Sequence, residues 1–227
     1  MTLNNLKKEL NNLKNPKQAK LLQGFFKTKK GEYGEGDIFL GIKVPIQRQV
    51  AKKYDLTLNQ LQELLNTNIH EFRLCAIFIL LKKYETNKKE IYNFYLKNTK
   101  RINNWDLVDL SAHKIIGDYI IDKDRSILYT LANSNNLWEK RISIISTFAF
   151  IKDNDFKDAL KIAEILLNDK HDLIHKAVGW VLREIGKKNQ EVEEEFLIKY
   201  HKTMPRTMLR YSLEKFNEEK RKFYMKK

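Results

Sequence analysis

Residues 71–84, EFRLCAIFILLKKY, decide the fold class, because the apolar period here, as nearly everywhere along the chain, is helical. Four comparable stretches follow along the chain: NWDLVDLSAHKIIGDYI (104–120), LWEKRISIISTFAFI (137–151), LIHKAVGWVLREIGKK (173–188) and MPRTMLRYSLEKF (204–216). Alternating apolar and polar runs of useful length are absent from the sequence. The pattern therefore predicts an all-α protein.

The apolar stretches recur at a nearly constant interval. Aligning Phe72, Trp105, Trp138, Ile174 and Pro205 gives steps of 33, 33, 36 and 31 residues. Shorter amphipathic segments lie between the stretches, so each period indicates a pair of helices, and stacked pairs form a solenoid with one concave face. The interval is closer to the ~34 residues of tetratricopeptide repeats than to the ~40 of HEAT repeats. Because neither signature motif is present, the period alone leaves the repeat type open.

We expect one domain over residues 1–227. It comprises N-terminal helices and a glycine-rich loop (1–45), helical repeats (46–216) and a basic C-terminal tail (217–227) whose order the sequence leaves open. Asn15 and Pro16 indicate the start of a helix. The loop holds four of the eight glycines, but no Gly-Lys-Ser/Thr follows it, which argues against a nucleotide-binding loop. Cys75, the single cysteine, lies in the first apolar run and is interpreted as a small buried side chain.

The formal net charge of +14 favours a polyanionic partner such as nucleic acid. A rival explanation is compositional bias, because the chain is also rich in Lys, Asn and Ile. The N-terminus lacks the apolar segment of a secretory signal, and no later stretch reaches the ~18 apolar residues of a membrane span, so we expect a cytoplasmic protein without a membrane partner. His171 and His175 lie one turn apart without an evident third ligand, so we expect no metal and no cofactor.

Two tryptophans have unusual neighbours. Trp105 and Asp109 stand one helical turn apart in an otherwise apolar segment, and a solvated aspartate near a helix start is the simpler interpretation of Asp109. Asp106 has a ready structural role, in a capping box with Asn103 as the N-cap. Trp180 shares its helix face with cations. It is either an amphipathic side chain half-buried under lysine stems or a contact for nucleic acid. The candidate phosphate-binding cations are Lys176, Arg183 and Lys187 around Trp180, and Arg206 and Arg210 at like-charged helical spacing.

The chain resembles the HEAT-repeat alkylpurine DNA glycosylases of the AlkD type, within the DNA alkylation repair enzyme family. The segments WDLVD, LWEKRISI and KAVGWVLRE carry the resemblance, which extends from about residue 36 to residue 216. It implies HEAT-like repeats and a positively charged concave face that binds double-stranded DNA containing alkylated bases. It also implies that Trp105, Asp109 and Trp180 are the active-site residues and that Arg141 contacts the DNA backbone.

The chemistry implied by this resemblance is hydrolysis of the N-glycosidic bond of purines alkylated at N3 or N7. Such a base is cationic and already a good leaving group, so a fixed carboxylate such as Asp109 needs only to stabilise the oxocarbenium-like sugar or position water. The family is associated with capturing lesions without a base-flipping pocket. We expect a monomer acting in base excision repair. Two alternatives stay open: a non-catalytic helical-repeat protein that binds nucleic acid, and a protein-binding solenoid whose charge is only compositional.

Overall fold

The computed structural model describes residues 2–226, and within that range the regular secondary structure is helical, apart from one isolated parallel β-bridge between Ile38 and Ile69. The all-α prediction is therefore confirmed. The chain divides into two compact units, Met1–Leu107 and Val108–Lys227. Among the described residues, no helix combines the length and the apolar character needed to cross a membrane.

The first unit contains six helices and the start of a seventh, counted over its described residues: α1 (Leu3–Asn12), α2 (Pro16–Phe25), α3 (Val44–Lys52), α4 (Leu58–Leu65), α5 (His70–Tyr84), α6 (Lys88–Lys97) and α7 (Trp105–Ala112). Helix α7 continues into the second unit. There it is followed by a π-helical segment (His113–Gly117), α8 (Ser126–Ala132), α9 (Leu137–Ser146), α10 (Phe148–Ile151), α11 (Lys157–Ile165), α12 (Asp172–Lys188), α13 (Gln190–Tyr200), α14 (Arg206–Ser212), a 3₁₀ turn (Leu213–Lys215) and α15 (Glu218–Met225).

The helix starts agree with the interval found in the sequence. Phe72, Trp105, Trp138 and Ile174 lie within the first three residues of α5, α7, α9 and α12, and Pro205 is the N-cap of α14. Helices α4, α6, α8, α11 and α13 precede them in turn. The prediction of paired helices is thus confirmed.

The glycine-rich loop is organised by a buried carboxylate. Glu71 of α5 is fully buried, and its two oxygens accept hydrogen bonds from the backbone N–H groups of Leu40 (2.9 Å), Gly41 (2.8 Å) and Ile42 (3.2 Å). Gly41 has a φ of +85°, and a Cβ there would lie 2.2 Å from the carbonyl oxygen of Asn15. The loop therefore supplies an anion-binding cluster of backbone donors, and the protein's own glutamate occupies it.

The chain ends are more regular than the sequence indicated. Asn15 caps α2 with Pro16 at its first position, which confirms that helix start. The basic segment after residue 216 is helical as α15, capped by Asn217 and with Tyr224 buried. Cys75 is buried as expected, and its Sγ donates to the carbonyl oxygen of Gln47 at 3.7 Å.

Candidate active site

Asp109 forms a two-pronged ion pair with Arg141. The Nε of Arg141 donates to Oδ1 of Asp109 at 2.8 Å, and its Nη2 donates to Oδ2 at 2.7 Å. Only 18% of the Asp109 side chain and 6% of the Arg141 side chain are exposed. Parallel charge-assisted hydrogen bonds of this kind fix the orientation of a carboxylate as well as its position. Asp109 is therefore not a solvated helix-start aspartate.

Arg141 also connects three helices of the second unit. It lies on α9, and its Nη1 donates to the backbone carbonyl oxygen of Leu173 in the first turn of α12 at 2.5 Å, while its other donors hold Asp109 of α7. The resemblance implies that this arginine contacts the DNA backbone. In the structure it is buried, and its guanidinium group binds Asp109 and the carbonyl oxygen of Leu173.

His113, Phe148 and Trp180 form an aromatic surface, which begins one helical turn after Asp109. The ring of His113 lies 6.3 Å from that of Phe148, which in turn lies 4.7 Å from Trp180 at a tilt of 56°. All three side chains are half-buried. Burial, assisted by the neighbouring Lys114, lowers the pKa of His113 to about 4, so the imidazole is neutral at physiological pH. Trp180 is thus half-buried and packs against Phe148.

Phe148 is a site component that the sequence analysis missed. It lies inside the apolar stretch 137–151, whose other apolar residues are largely buried, so its composition resembles that of a core segment. Helix α9 ends at Ser146 and the short helix α10 begins at Phe148. The sequence pattern does not show this break, so it offered no signal that separates Phe148 from the core residues around it.

Trp105 packs within the first unit. Its indole stacks on Phe26 at 5.2 Å with an interplanar angle of 10°, and the edge of Phe25 lies 6.0 Å away. Phe25 is 65% exposed, whereas Phe26 is buried. Trp105 therefore has one covered face and is half-buried at the first position of α7.

The expected capping box is not formed. The side-chain oxygen of Asn103 is buried without a hydrogen-bond partner among the described residues, and Asn104 instead accepts the Trp105 backbone N–H at 2.8 Å. Asp106 pairs with Nε2 of His70 at 2.8 Å. Burial opposes the charged form of His70, but the carboxylates of Asp106 and Asp37 outweigh it and raise the pKa of His70 to about 9. A cationic imidazole is a stronger partner for Asp106 than a neutral backbone N–H.

The other candidate DNA-binding cations lie on α12 and α14, and most have protein partners. Lys176 pairs with Asp172 at 2.6 Å, and Lys187 pairs with Glu184 at 2.7 Å. Arg183 pairs with Glu214 and with Glu184. Arg206 donates to the carbonyl oxygen of Met225 at 2.6 Å, and Arg210 is exposed one turn later. DNA binding through this set would exchange existing partners for phosphates.

The two closely spaced histidines have structural partners. Nδ1 of His171 accepts the backbone N–H of Leu173 at 3.1 Å and so caps α12, while Nε2 of His175 hydrogen-bonds the carbonyl oxygen of Asp169 at 2.5 Å. Within residues 2–226, no group of three or more His, Cys, Asp or Glu side chains is arranged to hold a metal ion.

Comparisons with known proteins identify related sequences and folds. The sequence model of a family described as DNA alkylation repair enzyme matches residues 6–216. The structure is similar to a predicted DNA alkylation repair enzyme from Enterococcus faecalis, with a TM-score of 0.72 and 19% identity, covering 90% of this chain and 97% of that one. It is also similar to AlkD2 from Streptococcus mutans (TM-score 0.56, 17% identity, 94% of this chain and 99% of that one).

A third similar structure is smu.31 from Streptococcus mutans UA159, with a TM-score of 0.53 and 20% identity over 76% of this chain and 92% of that one. No curated protein matches the sequence. At identities of this size the structural likeness establishes a shared helical-repeat fold. The sequence model, which spans nearly the whole chain, establishes the relationship by descent.

Proposed function

Because the chain belongs to the DNA alkylation repair enzyme family, we propose that it is a DNA glycosylase that removes N3- or N7-alkylated purines from duplex DNA. The observation that carries the proposal is the fixed carboxylate of Asp109, one helical turn before His113 of the aromatic surface. The reaction is hydrolysis: water adds to C1′ of the deoxyribose and loses one proton to the solvent, the C1′–N9 bond breaks, and the cationic base leaves with the bonding electrons as a neutral molecule.

The substrate supplies part of the catalysis. An alkylated purine of this type is cationic, and the electrons of the breaking bond neutralise it, so no general acid has to protonate the leaving base. Positive charge develops instead on the sugar as the transition state becomes oxocarbenium-like. A carboxylate in a fixed orientation stabilises that charge without reorganising during the reaction. Asp109 has this property because Arg141 holds both of its oxygens.

The aromatic side chains have a complementary role. Trp180 and Phe148 would contact the deoxyribose and backbone at the lesion, and Trp105 would do so one helical turn before Asp109. The electron-rich face of an indole attracts a nearby positive charge by about 0.5 to 2 kcal/mol. The lesion would be captured without enclosure in a flipping pocket, so substrates should be cationic lesions with weak glycosidic bonds, and neutral lesions should react poorly.

The cations of α12 and α14 would bind the phosphates on either side of the lesion. Lys176, Arg183, Lys187, Arg206 and Arg210 all lie on these two helices, which pack against each other. Each phosphate contact releases condensed counterions, so affinity should fall steeply with salt.

A non-catalytic DNA-binding protein of the same fold is the second candidate. The observation in its favour is the Asp109–Arg141 pair itself, because a buried two-pronged ion pair is also a common structural connection between helices. In that case Asp109 would stabilise the second unit and would have no role in bond cleavage.

The decisive experiment compares wild type, Asp109→Asn and Arg141→Lys for release of methylated purines from methylated duplex DNA, with binding to an abasic-site duplex measured in parallel. Asp122→Asn is the matched control, since that carboxylate is 77% exposed. If Asp109→Asn binds normally but loses a hundredfold or more in release rate, the glycosylase proposal stands. If wild type binds DNA with strong salt dependence and releases no base, the non-catalytic alternative replaces it.

A further inference from the structure

A cavity of about 500 Å³ lies in the second unit, between the connection from α13 to α14 and the C-terminal end of α15. We call it the C-terminal cavity. Lys202, Arg206 and Lys226 line it, beside apolar surface from Met204 and Leu209. No described residue of the lining is an aspartate or a glutamate. The lining of this cavity is therefore cationic.

The three cations of the C-terminal cavity are not neutralised by the protein. Lys202, Arg206 and Lys226 are all exposed, and none makes an ion pair with a described carboxylate. The cations of α12 differ in this respect, because Lys176 and Lys187 each pair with a carboxylate of their own helix. Like charges around one cavity repel one another, and a bound anion reverses that repulsion. An anion would therefore bind here without displacing an existing carboxylate.

Arg206 is held at the cavity by the end of α15. Its Nη1 donates to the carbonyl oxygen of Met225 at 2.6 Å, and Met225 is the last residue of that helix. The remaining donors of the guanidinium group have no partner among the described residues. A guanidinium group presents its donors in a fixed fork that matches the oxygens of a phosphate. Arg206 is thus anchored by one nitrogen and keeps donors for a ligand.

Helix α15 brings Lys226 to the cavity. Tyr224 of α15 is 4% exposed, and its ring lies 5.4 Å from that of His201. Lys226 directly follows the helix, so the buried Tyr224 and the hydrogen bond from Arg206 fix the backbone beside it. The segment lies beyond residues 6–216, which the family model matches. The family relationship therefore does not supply a role for Lys226.

The position of the cavity identifies the anion. Arg210 lies one turn after Arg206 on α14, so the two side chains share one face of that helix. Both arginines belong to the candidate DNA-binding cations, and the cavity lies at the N-terminal end of their row. A backbone phosphate has two unesterified oxygens that share one negative charge, and arginine and lysine are common donors to it. A phosphate of DNA bound along α14 would therefore fit the cavity.

We propose that the C-terminal cavity binds one phosphate of duplex DNA through Lys202, Arg206 and Lys226, so that α15 extends the DNA-binding surface. The inference rests on the proposed function only in taking duplex DNA as the partner. It does not require that the protein release a base.

The test is the affinity of the full chain for an undamaged duplex, measured by fluorescence anisotropy at several salt concentrations. Lys202→Gln and Lys226→Gln each remove one charge from the lining. Lys161→Gln is the matched control, because Lys161 is exposed on α11 and does not line the cavity. Each lining variant should bind about threefold to tenfold more weakly than the control at ~0.1 M salt.

The double variant Lys202→Gln/Lys226→Gln tests whether the two lysines share one phosphate. The slope of log affinity against log salt should decrease in magnitude by no more than about 0.9, the value for one phosphate. A decrease of about 1.8 would mean that the lysines bind two separate phosphates, and it would overturn the shared site.

The remaining outcomes separate this inference from the proposed function. If wild type binds the duplex and both lining variants bind like Lys161→Gln, the cavity holds no phosphate and the inference is overturned, whereas the glycosylase proposal is unaffected. If wild type binds but releases no base, and the lining variants bind more weakly as expected, the glycosylase proposal fails and this inference stands. If wild type binds no duplex at low salt, both fail.

Discussion

The buried carboxyl group of Glu193 makes the stability of the second unit dependent on pH. Glu193 on α13 is 2% exposed, and its Oε2 would lie 1.6 Å from a Cβ placed on Gly186 of α12, so the two helices are in close contact there. Its Oε1 has no partner among the described residues. Burial, reinforced by the charge of Glu194, raises the pKa of Glu193 to about 9, so the folded protein holds this proton at neutral pH.

The sign and size of the effect follow from the two pKa values. The unfolded chain releases the proton near pH 4.5, whereas the folded chain keeps it until about pH 9. The stabilisation contributed by the protonated carboxyl group of Glu193 is therefore fully present below pH 4.5. It is lost as pH rises toward 9, by about 1.4 kcal/mol per pH unit. At pH 7 the loss amounts to about 3 kcal/mol. Glu193→Gln has a similar shape and does not titrate, so it should be more stable than wild type by about that amount at pH 7.

Urea denaturation at pH 5, 7 and 8.5 measures the difference directly. The gain for Glu193→Gln should be small at pH 5 and largest at pH 8.5. Glu195→Gln, an exposed position on the same helix, should follow wild type at every pH. A difference between Glu193→Gln and wild type that does not change with pH would refute the reasoning, and so would a variant less stable than wild type at pH 8.5.

Three further results are expected. Glu71→Gln should lower the free energy of unfolding by about 3 kcal/mol in urea denaturation, because a neutral amide cannot replace a carboxylate that accepts three backbone N–H groups. Gly41→Ala should also destabilise the protein by about 3 kcal/mol in thermal unfolding. Gly24→Ala, with open space around its Cβ position in α2, should instead stabilise it by about 0.5 to 1 kcal/mol. Equal effects of the two substitutions would contradict the strain argument. Arg210→Gln should reduce the slope of log affinity against log salt for duplex DNA by about 0.9, and Lys97→Gln, an exposed cation outside the proposed set, should leave that slope unchanged.

The fold was predictable from local features of the sequence. Helix starts depend on caps and apolar spacing within a few residues, as at Asn15 and Pro16, and the repeat interval appears directly as a distance along the chain. The family relationship was also recognisable from three short segments, and the sequence model matching residues 6–216 confirms it.

The pairings that build the site were not predictable in the same way. Arg141 lies 32 residues from Asp109, and Glu71 lies about 30 residues from the backbone groups that it binds. Such contacts depend on how helices pack, and no local pattern records them. The sequence marked Asp109 as unusual without showing its partner, and it assigned Asp106 to a cap because His70 is distant along the chain. The roles of the proposed active-site residues stay predictions until base release is measured.

The π-helical segment His113–Gly117 affects which single-residue deletions the protein tolerates. A π-turn contains one more residue than an α-turn, so deleting a single residue here would leave a continuous α-helix. Because a π-turn and an α-turn each complete one turn, the residues before and after the deletion would keep nearly the same relative orientation. Asp109 would therefore still face Arg141. A one-residue deletion should be tolerated in this segment, whereas the same deletion inside the continuous helix α12 would rotate the residues on one side of it by about 100° relative to those on the other.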